Sequence, residues 1–443
     1  MLFAAYFSII SYVVEVTDKF IIDGLGGKRT LAGEISVGGA KNAALKVLAS
    51  AVLFRDGFVA SNVPEIEDVF RMLDLLINLG VRVDKEGHNL YKLDTSAIAN
   101  KPLWSEIAKK MRSSIVLTGP LLARFGEVSF PYPGGCVIGK RPVDLFLAGF
   151  AKMGASVTEE KDSFAVKASA GGLLGAEIFF KNQSVTATET FLMTAVLAKG
   201  RTVLKNCALE PEIASLGEFL NECGAKISGL GTPTITIEGN GLLSGVGHEY
   251  KTIPDRIEAG SFVILGALAA SDLKVIGCEP KHLDALLSLL REAGVEVETG
   301  ADYVRIKNND NKTYQAVDVK THEYPGFPTD LQAPIAIFLS QASGESFIFE
   351  TIFEGRLNYL EALLRMGLEA KNLDTHRAII YGPRSLEGKE IESPDLRAGL
   401  AYVLAAITAS GRSVVHNVKY IDRGYEKIEE RFQKIGVKIE RVK

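Results

Sequence analysis

The stretch EDVFRMLDLLINLGVRV, residues 67–83, is typical of an amphipathic helix that ends at a glycine and continues as a strand. Its apolar residues recur at helical spacing. Gly80 stands where the C-terminal cap of a helix commonly needs a left-handed residue. The segment after this glycine is rich in valine and favours extended structure.

The same pattern recurs along the chain at an almost constant spacing. The six copies are NLGVRV at Gly80, KMGASV at Gly154, ECGAKI at Gly224, EAGVEV at Gly294, RMGLEA at Gly367 and KIGVKI at Gly436. Successive glycines are 74, 70, 70, 73 and 69 residues apart. A period this regular predicts an internal repeat.

Each repeat has the same predicted parts. A short strand such as GFVASNV precedes the amphipathic helix, and a more apolar helix such as NAALKVLASAVLF precedes that strand. The more apolar helices are hydrophobic on nearly every side, so we expect them to be buried. The predicted unit is strand, buried helix, strand, outer helix and two strands. Three units around one helical core make a domain, which predicts an α/β fold of two domains.

The domain boundary is expected between the third and fourth repeats, at the IPDR turn of Ile253–Arg256. Residues 41–253 then hold repeats 1–3, and residues 17–40 with 254–443 hold repeats 4–6. The segment DKFIIDGLGGKRTLAGEISV, residues 18–37, is expected to pair with the second domain and complete its last sheet. Residues 1–16 are expected to be a non-native or disordered extension; a signal peptide or anchor is the alternative.

Composition excludes several functional classes. The 443 residues carry a net charge of −4, with no basic run that would predict nucleic-acid binding. The four cysteines show no C-x-x-C pairs, which argues against disulfides and zinc and favours a reducing cytoplasm. We expect no metal, no cofactor, no stable membrane association and no obligate protein partner.

Charged and polar residues open the six buried helices at equivalent positions. They are Lys41 with Asn42, Arg112, Ser184 with Thr186, Asp255 with Arg256, Asp330, and Asp395 with Arg397. Helix N-termini favour anions, so gathered helix starts predict a cleft for a phosphorylated ligand. Helix capping is the alternative for Ser184, Thr186 and Asp330. It does not account for the cations, which oppose the helix dipole and therefore suggest a ligand.

The stretch PGGCVIGKRPVD, residues 133–144, lies in the one enlarged repeat. From Val128 to Gly154 there are 26 residues, whereas the other repeats have 19 to 22 between equivalent positions. An insertion of glycines, proline and charges predicts a functional surface loop. Lys140 and Arg141 favour a thiolate at Cys136. A buried, inert thiol is the alternative, and it is the expectation for Cys207, Cys223 and Cys278.

Seven motifs together resemble the UDP-N-acetylglucosamine branch of the enolpyruvyl transferase family. They are GGAKNAAL at Gly38, KKMRSSI at Lys109, PGGCVIGKRPVDL at Pro133, FPTDLQA at Phe327, TIFEGR at Thr351, PDLRAG at Pro394 and IDRGYE at Ile421. The resemblance implies two inside-out α/β domains, an inverse α/β prism fold. It also implies transfer of the enolpyruvyl group of phosphoenolpyruvate to the 3-hydroxyl of UDP-N-acetylglucosamine, with phosphate release and no cofactor.

The resemblance also implies roles for individual residues. Cys136 is similar to the general acid that protonates phosphoenolpyruvate, forms a covalent adduct and reacts with fosfomycin, and Asp330 resembles the base for the sugar hydroxyl. The phosphoenolpyruvate ligands implied are Lys41, Asn42, Arg112, Arg141, Arg397 and Arg423, with Lys41 and Arg423 also assigned to catalysis. The nucleotide-sugar residues implied are Asn42, Arg112, Arg141, Pro142, Val143, Asp144, Leu145, Ser184, Val185, Thr186, Asp330 and Ile352.

Three positions depart from the family pattern. Asn182 and Thr186 stand where relatives have lysine and glycine, and Phe146 replaces a frequent histidine. The departures bear on nucleotide affinity more than on chemistry. They leave open a paralogue that acts on another acceptor. A non-catalytic ligand sensor on the same scaffold is the other alternative, although Cys136, Asp330 and Arg397 argue against it.

Overall fold

The computed structural model describes residues 18–101, 111–131, 143–308 and 312–443. Cys136, Arg141, Pro142 and the predicted extension of residues 1–16 lie outside these ranges. Within them the α-helices are α1 Lys41–Ser50, α2 Glu67–Asn78, α3 Thr118–Phe125, α4 Asp144–Lys152, α5 Val185–Leu197, α6 Pro211–Glu222, α7 Arg256–Ala269, α8 Asp284–Glu292, α9 Gln332–Leu339, α10 Leu360–Arg365, α11 Leu396–Thr408 and α12 Ile428–Lys434.

The strands form six sheets across the described ranges, one for each sequence repeat. The strands of the first three repeats are β3 Phe58–Ser61, β4 Arg82–Gly87, β5 Leu90–Asp94, β6 Glu127–Pro131, β7 Ala155–Glu159, β8 Ser163–Ala168, β9 Glu177–Phe179, β10 Arg201–Lys205, β11 Lys226–Ser228, β12 Thr234–Glu238 and β13 Glu249–Lys251. The other strands are β1 Lys19–Asp23, β2 Leu31–Ser36, β14 Ala270–Ile276, β15 Val297–Thr299, β16 Tyr303–Lys307, β17 Val319–Lys320, β18 Gly344–Phe349, β19 Glu369–Asn372, β20 Arg377–Gly382, β21 Glu390–Glu392, β22 Arg412–His416 and β23 Lys438–Val442.

Every repeat uses the same sheet order. In the third repeat, β10 pairs in parallel with β9 and antiparallel with β12, which pairs antiparallel with β11. Five of the sheets have four strands, and the second repeat shows three, β6-β8-β7, in the described residues. The predicted order of strand, buried helix, strand, outer helix and two strands is confirmed in the first, third, fourth and fifth repeats. The described residues of the second repeat show no first strand, and in the sixth repeat β1 takes the place of the last strand. The two-part α/β fold is also confirmed.

Burial separates the two kinds of helix as the sequence predicts. All eight residues of α9 are buried, and so are Ile257–Ala269 of α7, because these helices have no polar face to expose. The amphipathic α2 instead buries one face, through Val69, Met72 and Leu76. Each of the six motif glycines has φ between 87° and 102°, the left-handed backbone that ends its helix. None of the helices in the described ranges is long and apolar enough to cross a bilayer.

Buried apolar side chains form two separate clusters. One draws on residues between Ala44 and Tyr250, and we call that part of the chain lobe 1. The other draws on Phe20–Ile35 together with residues between Ile257 and Ile439, which we call lobe 2. The limits 41–253 and 17–40 plus 254–443 remain our proposed domain boundaries.

The N-terminal strands enter two sheets, whereas the sequence predicted one. Strand β1 lies between β22 and β23 and completes the last sheet, as expected. Strand β2 instead pairs in parallel with β14, in the sheet of the fourth repeat. Its counterpart β13 returns to lobe 1 and pairs in parallel with β3. The first strands of the first and fourth repeats are therefore exchanged between the two lobes, because the chain crosses between the lobes twice.

The two crossings run side by side. Gly39 and Pro254 form an antiparallel bridge, and the Ala40 amide donates to the Ile253 carbonyl over 2.7 Å. A Cβ on Gly39 would lie 1.8 Å from the carbonyl oxygen of Asn62. The backbones approach so closely that only glycine fits at this position.

Gly39→Ala is expected to lower the free energy of unfolding by about 1–3 kcal/mol, because the added methyl would collide with the Asn62 carbonyl and force the backbone to shift. Urea unfolding measures the change. Gly38→Ala is the matched control, since its Cβ would come no closer than 3.6 Å, to Glu258. Equal stability of the two variants would contradict the predicted close approach.

Candidate active site

The site is assembled from the first residues of buried helices that belong to both lobes. Asp255 caps α7, where its Oδ1 accepts from the amides of Ile257 and Glu258 at 2.8 and 3.0 Å. Its Oδ2 also accepts from the amide of Lys41 over 3.1 Å. One carboxylate therefore holds the starts of α1 and α7 together across the lobes.

Lys41 and Arg423 share one buried carboxylate. Lys41 Nζ lies 2.7 Å from Asp68 Oδ2, and Arg423 Nε donates to Asp68 Oδ1 over 2.9 Å. Asp68 is 2% exposed. Burial opposes ionisation of Asp68, but the neighbouring Lys41 and Arg423 outweigh it and lower its pKa. Burial lowers the pKa of Lys41, and the charges of Arg397 and Arg423 act in the same direction.

Asp330 lies between two arginines. Its Oδ1 accepts from Arg356 over 2.8 Å and its Oδ2 from Arg397 Nε over 3.0 Å. Arg397 also donates to the Tyr425 hydroxyl over 2.8 Å. Burial alone would raise the pKa of Asp330, but Arg397 and Arg356 overcome it and hold that pKa far below its usual range. Asp330 is therefore ionised at neutral pH.

The two ion-pair groups are electrostatically one site. The charge of Lys41 contributes to the low pKa of Asp330, and that of Arg397 to the low pKa of Lys41. Together the groups contain four cations and two carboxylates. Such an excess of partly desolvated donors favours phosphate and carboxylate ligands.

The helix-start prediction is confirmed in position, but its electrostatic argument was incomplete. Five of the six predicted residues lie at or within one turn of the starts of their buried helices: Lys41, Thr186, Arg256, Asp330 and Arg397. The sixth, Arg112, opens the 3₁₀ segment Arg112–Leu117 that leads into α3. The sequence argument required a ligand to balance the cations. In the structure Lys41 and Arg397 already have carboxylate partners, which lower that cost. A ligand anion would add to these contacts or replace some of them.

Helix capping, the alternative, holds for one residue and is wrong for another. Ser184 caps α5, where its hydroxyl oxygen accepts from the Ala187 amide over 3.3 Å. Asp330 makes no side-chain cap, because its carboxylate binds the two arginines. Thr186 follows within the first turn of α5 and is half-buried.

The residues predicted for the nucleotide sugar lie at several helix starts. Val143, Asp144 and Leu145 open α4, and Val185 opens α5, which packs against α4. The Ile352 amide donates to Glu350 over 2.9 Å. Asn42 and Arg112 are half-buried at the starts of α1 and of the 3₁₀ turn Arg112–Leu117. Their binding of a nucleotide sugar remains a prediction.

Phe146, one of the departures from the family pattern, is a core residue here. It is 4% exposed, and its ring stacks 6.4 Å from that of Phe191 on α5. The aromatic ring therefore joins the α4–α5 contact, a role that the sequence comparison did not suggest.

The other three cysteines are buried, as predicted. Cys207, Cys223 and Cys278 are 0%, 6% and 4% exposed. Burial raises the pKa of these thiols to about 11, 12 and 11. Neutral buried thiols are poor nucleophiles, so these cysteines are inert.

Sequence reasoning missed two residues at the centre of the site. Asp68 stands in the first turn of α2, where an acidic residue is expected merely to favour the helix dipole. Arg356 is part of the quoted TIFEGR motif but received no role. Asp68 and Arg356 reach Lys41 and Asp330 only in the folded protein. The periodicity of the sequence repeat therefore did not indicate that they belong to the site.

Comparisons with known proteins agree with this geometry. The family model described as EPSP synthase (3-phosphoshikimate 1-carboxyvinyltransferase) matches residues 25–432. The chain is 42% identical to the UDP-N-acetylglucosamine 1-carboxyvinyltransferase of Koribacter versatilis, over 96% of each chain. It is 44% identical to UDP-N-acetylglucosamine 1-carboxyvinyltransferase 1 of Carboxydothermus hydrogenoformans, over 96% of this chain and 98% of that relative.

Two solved structures share the fold. The enolpyruvyl transferase NikO from Streptomyces tendae superposes with a TM-score of 0.85 at 23% identity, over 96% of this chain and 99% of its own. EPSP synthase from Acinetobacter baumannii superposes with a TM-score of 0.70 at 18% identity, over 96% and 100%. At these identities the superpositions support the architecture alone.

Proposed function

Since the chain belongs to the enolpyruvyl transferase family, as a UDP-N-acetylglucosamine 1-carboxyvinyltransferase, we propose the following reaction for its site. The enolpyruvyl group of phosphoenolpyruvate moves to the 3-hydroxyl of UDP-N-acetylglucosamine, and phosphate is released. The observation that carries this proposal is the match at 42–44% identity over 96% of the chain. The reaction would be the first committed step of peptidoglycan synthesis, in the cytoplasm, and would serve cell shape and division.

We assign the anionic substrate to the cationic side of the site. Lys41, Arg397 and Arg423, joined by Asn42, Arg112 and Arg141, would bind the phosphate and carboxylate of phosphoenolpyruvate. Backbone amides at the helix starts add to this attraction. The same cations would stabilise the charge of the tetrahedral ketal and of the departing phosphate.

We propose that the chemistry proceeds by addition and elimination. The Cys136 thiol gives its proton to the methylene carbon of phosphoenolpyruvate. The sugar 3-hydroxyl oxygen forms a bond to C2, and its proton passes to Asp330. The ketal then returns a proton from the new methyl group to the Cys136 thiolate and expels phosphate, which restores the double bond.

The ion pairs at Asp330 support a link between binding and basicity. A carboxylate with so low a pKa is a weak base. A bound anion that draws Arg397 toward itself would relax one of the two contacts to Asp330 and raise its basicity. In this proposal the base becomes effective only after phosphoenolpyruvate is in place.

The substrate assignment is tested by phosphate release from phosphoenolpyruvate. We expect turnover with UDP-N-acetylglucosamine and none with shikimate 3-phosphate, the acceptor suggested by the description of the matching family model. Phosphate release only with shikimate 3-phosphate would overturn the assignment. Binding of both ligands without any release would favour the sensor alternative.

Cys136→Ser is expected to lower turnover by about 10²–10⁴-fold, the contribution of a general acid. The variant should also escape alkylation by fosfomycin, whereas Cys136→Asp should escape it and keep activity, because a carboxylic acid still donates a proton. Mass spectrometry after fosfomycin treatment locates the adduct. An adduct on Cys207 or Cys223, whose thiols are neutral and buried, would contradict the assignment.

A further inference from the structure

A short loop of lobe 2 reaches across to lobe 1 beside the site. We call residues 422–426, with the sequence DRGYE, the arginine loop. The amide of Glu67 donates to the carbonyl of Asp422 over 3.1 Å. Arg423, the next residue of the loop, binds Asp68 on the same helix of lobe 1. The arginine loop therefore lies against the first turn of α2.

Glu426, the last residue of the arginine loop, has no role in the proposed mechanism but contacts lobe 1. Glu426 Oε2 accepts from the amide of Glu65 over 2.9 Å, and Glu426 Oε1 lies 3.0 Å from Nε2 of His88. The Glu426 side chain is 17% exposed. Both partners belong to lobe 1, so this carboxylate joins the lobes.

The start of α2 needs such a partner. Its N-cap residue, Ile66, has no side-chain oxygen to accept from the free amides of the first turn. The carbonyl of Asp422 accepts from one of these amides, that of Glu67, and the carboxylate of Glu426 accepts from the amide of Glu65, just before the N-cap residue. A carboxylate at a helix N-terminus is also favoured by the helix dipole.

Both ends of the arginine loop are thus fixed, and its middle carries two groups of the site. Arg423 contacts the carboxylate that Lys41 shares, and the hydroxyl of Tyr425 accepts from Arg397. The loop is also fixed to its own lobe, where Arg441 binds Asp422 over 2.7 Å. The position of the Arg423 guanidinium across the cleft therefore depends on the contact made by Glu426.

We propose that Glu426 is a positioning residue: docked on the Glu65 amide and His88, it holds Arg423 on the lobe 1 side of the cleft for the anionic substrate. The inference rests on the proposed function for the identity of that substrate, phosphoenolpyruvate. Glu426 itself touches no reacting atom. Its loss should weaken binding of the anion without removing a group that takes part in the chemistry.

Calorimetric titration of the full-length protein with phosphoenolpyruvate, without UDP-N-acetylglucosamine so that no turnover occurs, tests the proposal. We expect Glu426→Ala to raise the Kd of phosphoenolpyruvate by about 10- to 100-fold, the effect of losing hydrogen bonds to a charged group. The KM for phosphoenolpyruvate should rise likewise, whereas the KM for UDP-N-acetylglucosamine should change less than about threefold, a split that general damage to the fold would not give. Glu426→Gln keeps an oxygen for the Glu65 amide and should restore binding to within about threefold of the wild type.

Glu430→Ala is the matched control, because the side chain of Glu430 is exposed and forms a 3.9 Å ion pair with Lys427, its neighbour on the same helix end. An unchanged Kd in Glu426→Ala would overturn the inference. So would a Glu426→Ala variant that loses kcat and the affinity for both substrates together with thermal stability, and is not rescued by glutamine. If wild-type protein releases no phosphate, the proposed function fails, whereas the difference in Kd between the variants still decides the role of Glu426.

Discussion

Asp330→Asn is expected to lower kcat for phosphate release by about 10²–10⁴-fold, the usual contribution of a general base. Asparagine has nearly the same shape and keeps an oxygen for one of the two arginines. It has no charge, however, and cannot accept the proton of the sugar hydroxyl. The fold should survive, so the loss would lie in the chemical step. Single-turnover phosphate release measures it.

The wild-type pH profile provides a second test of Asp330. Because Arg397 and Arg356 hold its pKa well below the usual range, the carboxylate stays ionised in the free enzyme. The profile of kcat/KM reports ionisations of the free enzyme, so it should show no acid limb from Asp330 above about pH 4. An acid limb near pH 5 that disappears in Asp330→Asn would contradict the lowered pKa that the two arginines impose on Asp330.

Asp374→Asn is the matched control for Asp330→Asn. Asp374 also pairs with an arginine, as Arg377 Nε donates to it over 2.6 Å, but both side chains of this pair are exposed. Its loss should leave kcat unchanged. If Asp330→Asn also keeps kcat within about threefold of the wild type, another group must take the proton.

Lys46→Met is expected to lower the free energy of unfolding by about 3–5 kcal/mol, the cost of removing one partner of a buried ion pair. Lys46 Nζ on α1 lies 3.3 Å from Glu189 Oε2 on α5, and Glu189 is fully buried. Besides this ion pair, no described residue gives either carboxylate oxygen of Glu189 a hydrogen bond. Without the lysine, the charge has no compensation in the core of lobe 1.

The loss should depend on pH in a defined direction. Burial, reinforced by Glu212 and Glu210 and opposed by Lys46, raises the pKa of Glu189 from 4.5 to about 8. The folded protein therefore binds this proton more tightly than the unfolded chain. Stability linked to Glu189 is full below about pH 4.5 and is lost as the pH rises through 8. Urea unfolding of Lys46→Met should accordingly show a larger loss at about pH 8.5 than at about pH 5.5.

The double variant Lys46→Met/Glu189→Leu distinguishes the loss of charge compensation from the loss of packing at these two positions. Apolar replacement of a whole buried pair is often neutral or stabilising, so we expect a stability equal to the wild type or higher by about 1–4 kcal/mol. Lys205→Met is the surface control: its 2.8 Å pair with Glu177 is exposed and should cost less than about 1 kcal/mol. A double variant as unstable as the single one would show that packing, not charge, sets the loss.

The repeat architecture was predictable because it depends on local patterns. A helix that ends at a glycine with positive φ leaves its mark in the sequence whatever surrounds it, and six such marks at regular spacing predicted the six sheets. Which sheet receives β2 was not predictable in this way. Pairing between strands that are more than two hundred residues apart depends on which sheet edges the folded lobes bring next to each other.

The candidate site likewise contains residues that the repeat pattern predicted and residues that it did not. Lys41 and Arg397 were found because they recur at one position of the repeat. Asp68 and Arg356 do not recur at an equivalent position in the other repeats. Their importance comes from contacts between repeats. The Lys46–Glu189 pair is a further example, because a lysine and a glutamate within otherwise apolar helices gave no indication that they would meet.

The exchanged strands also have a consequence for how the chain matures on the ribosome. Every sheet of lobe 1 has its described strands once synthesis has passed β13, so this half can fold while the rest is still being made. Strands β1 and β2 are among the first segments to emerge, yet β1 must wait for β23 and β2 for β14. During that interval they present unpaired edges, which are prone to aggregate. Nascent-chain association with chaperones should therefore concentrate on these strands.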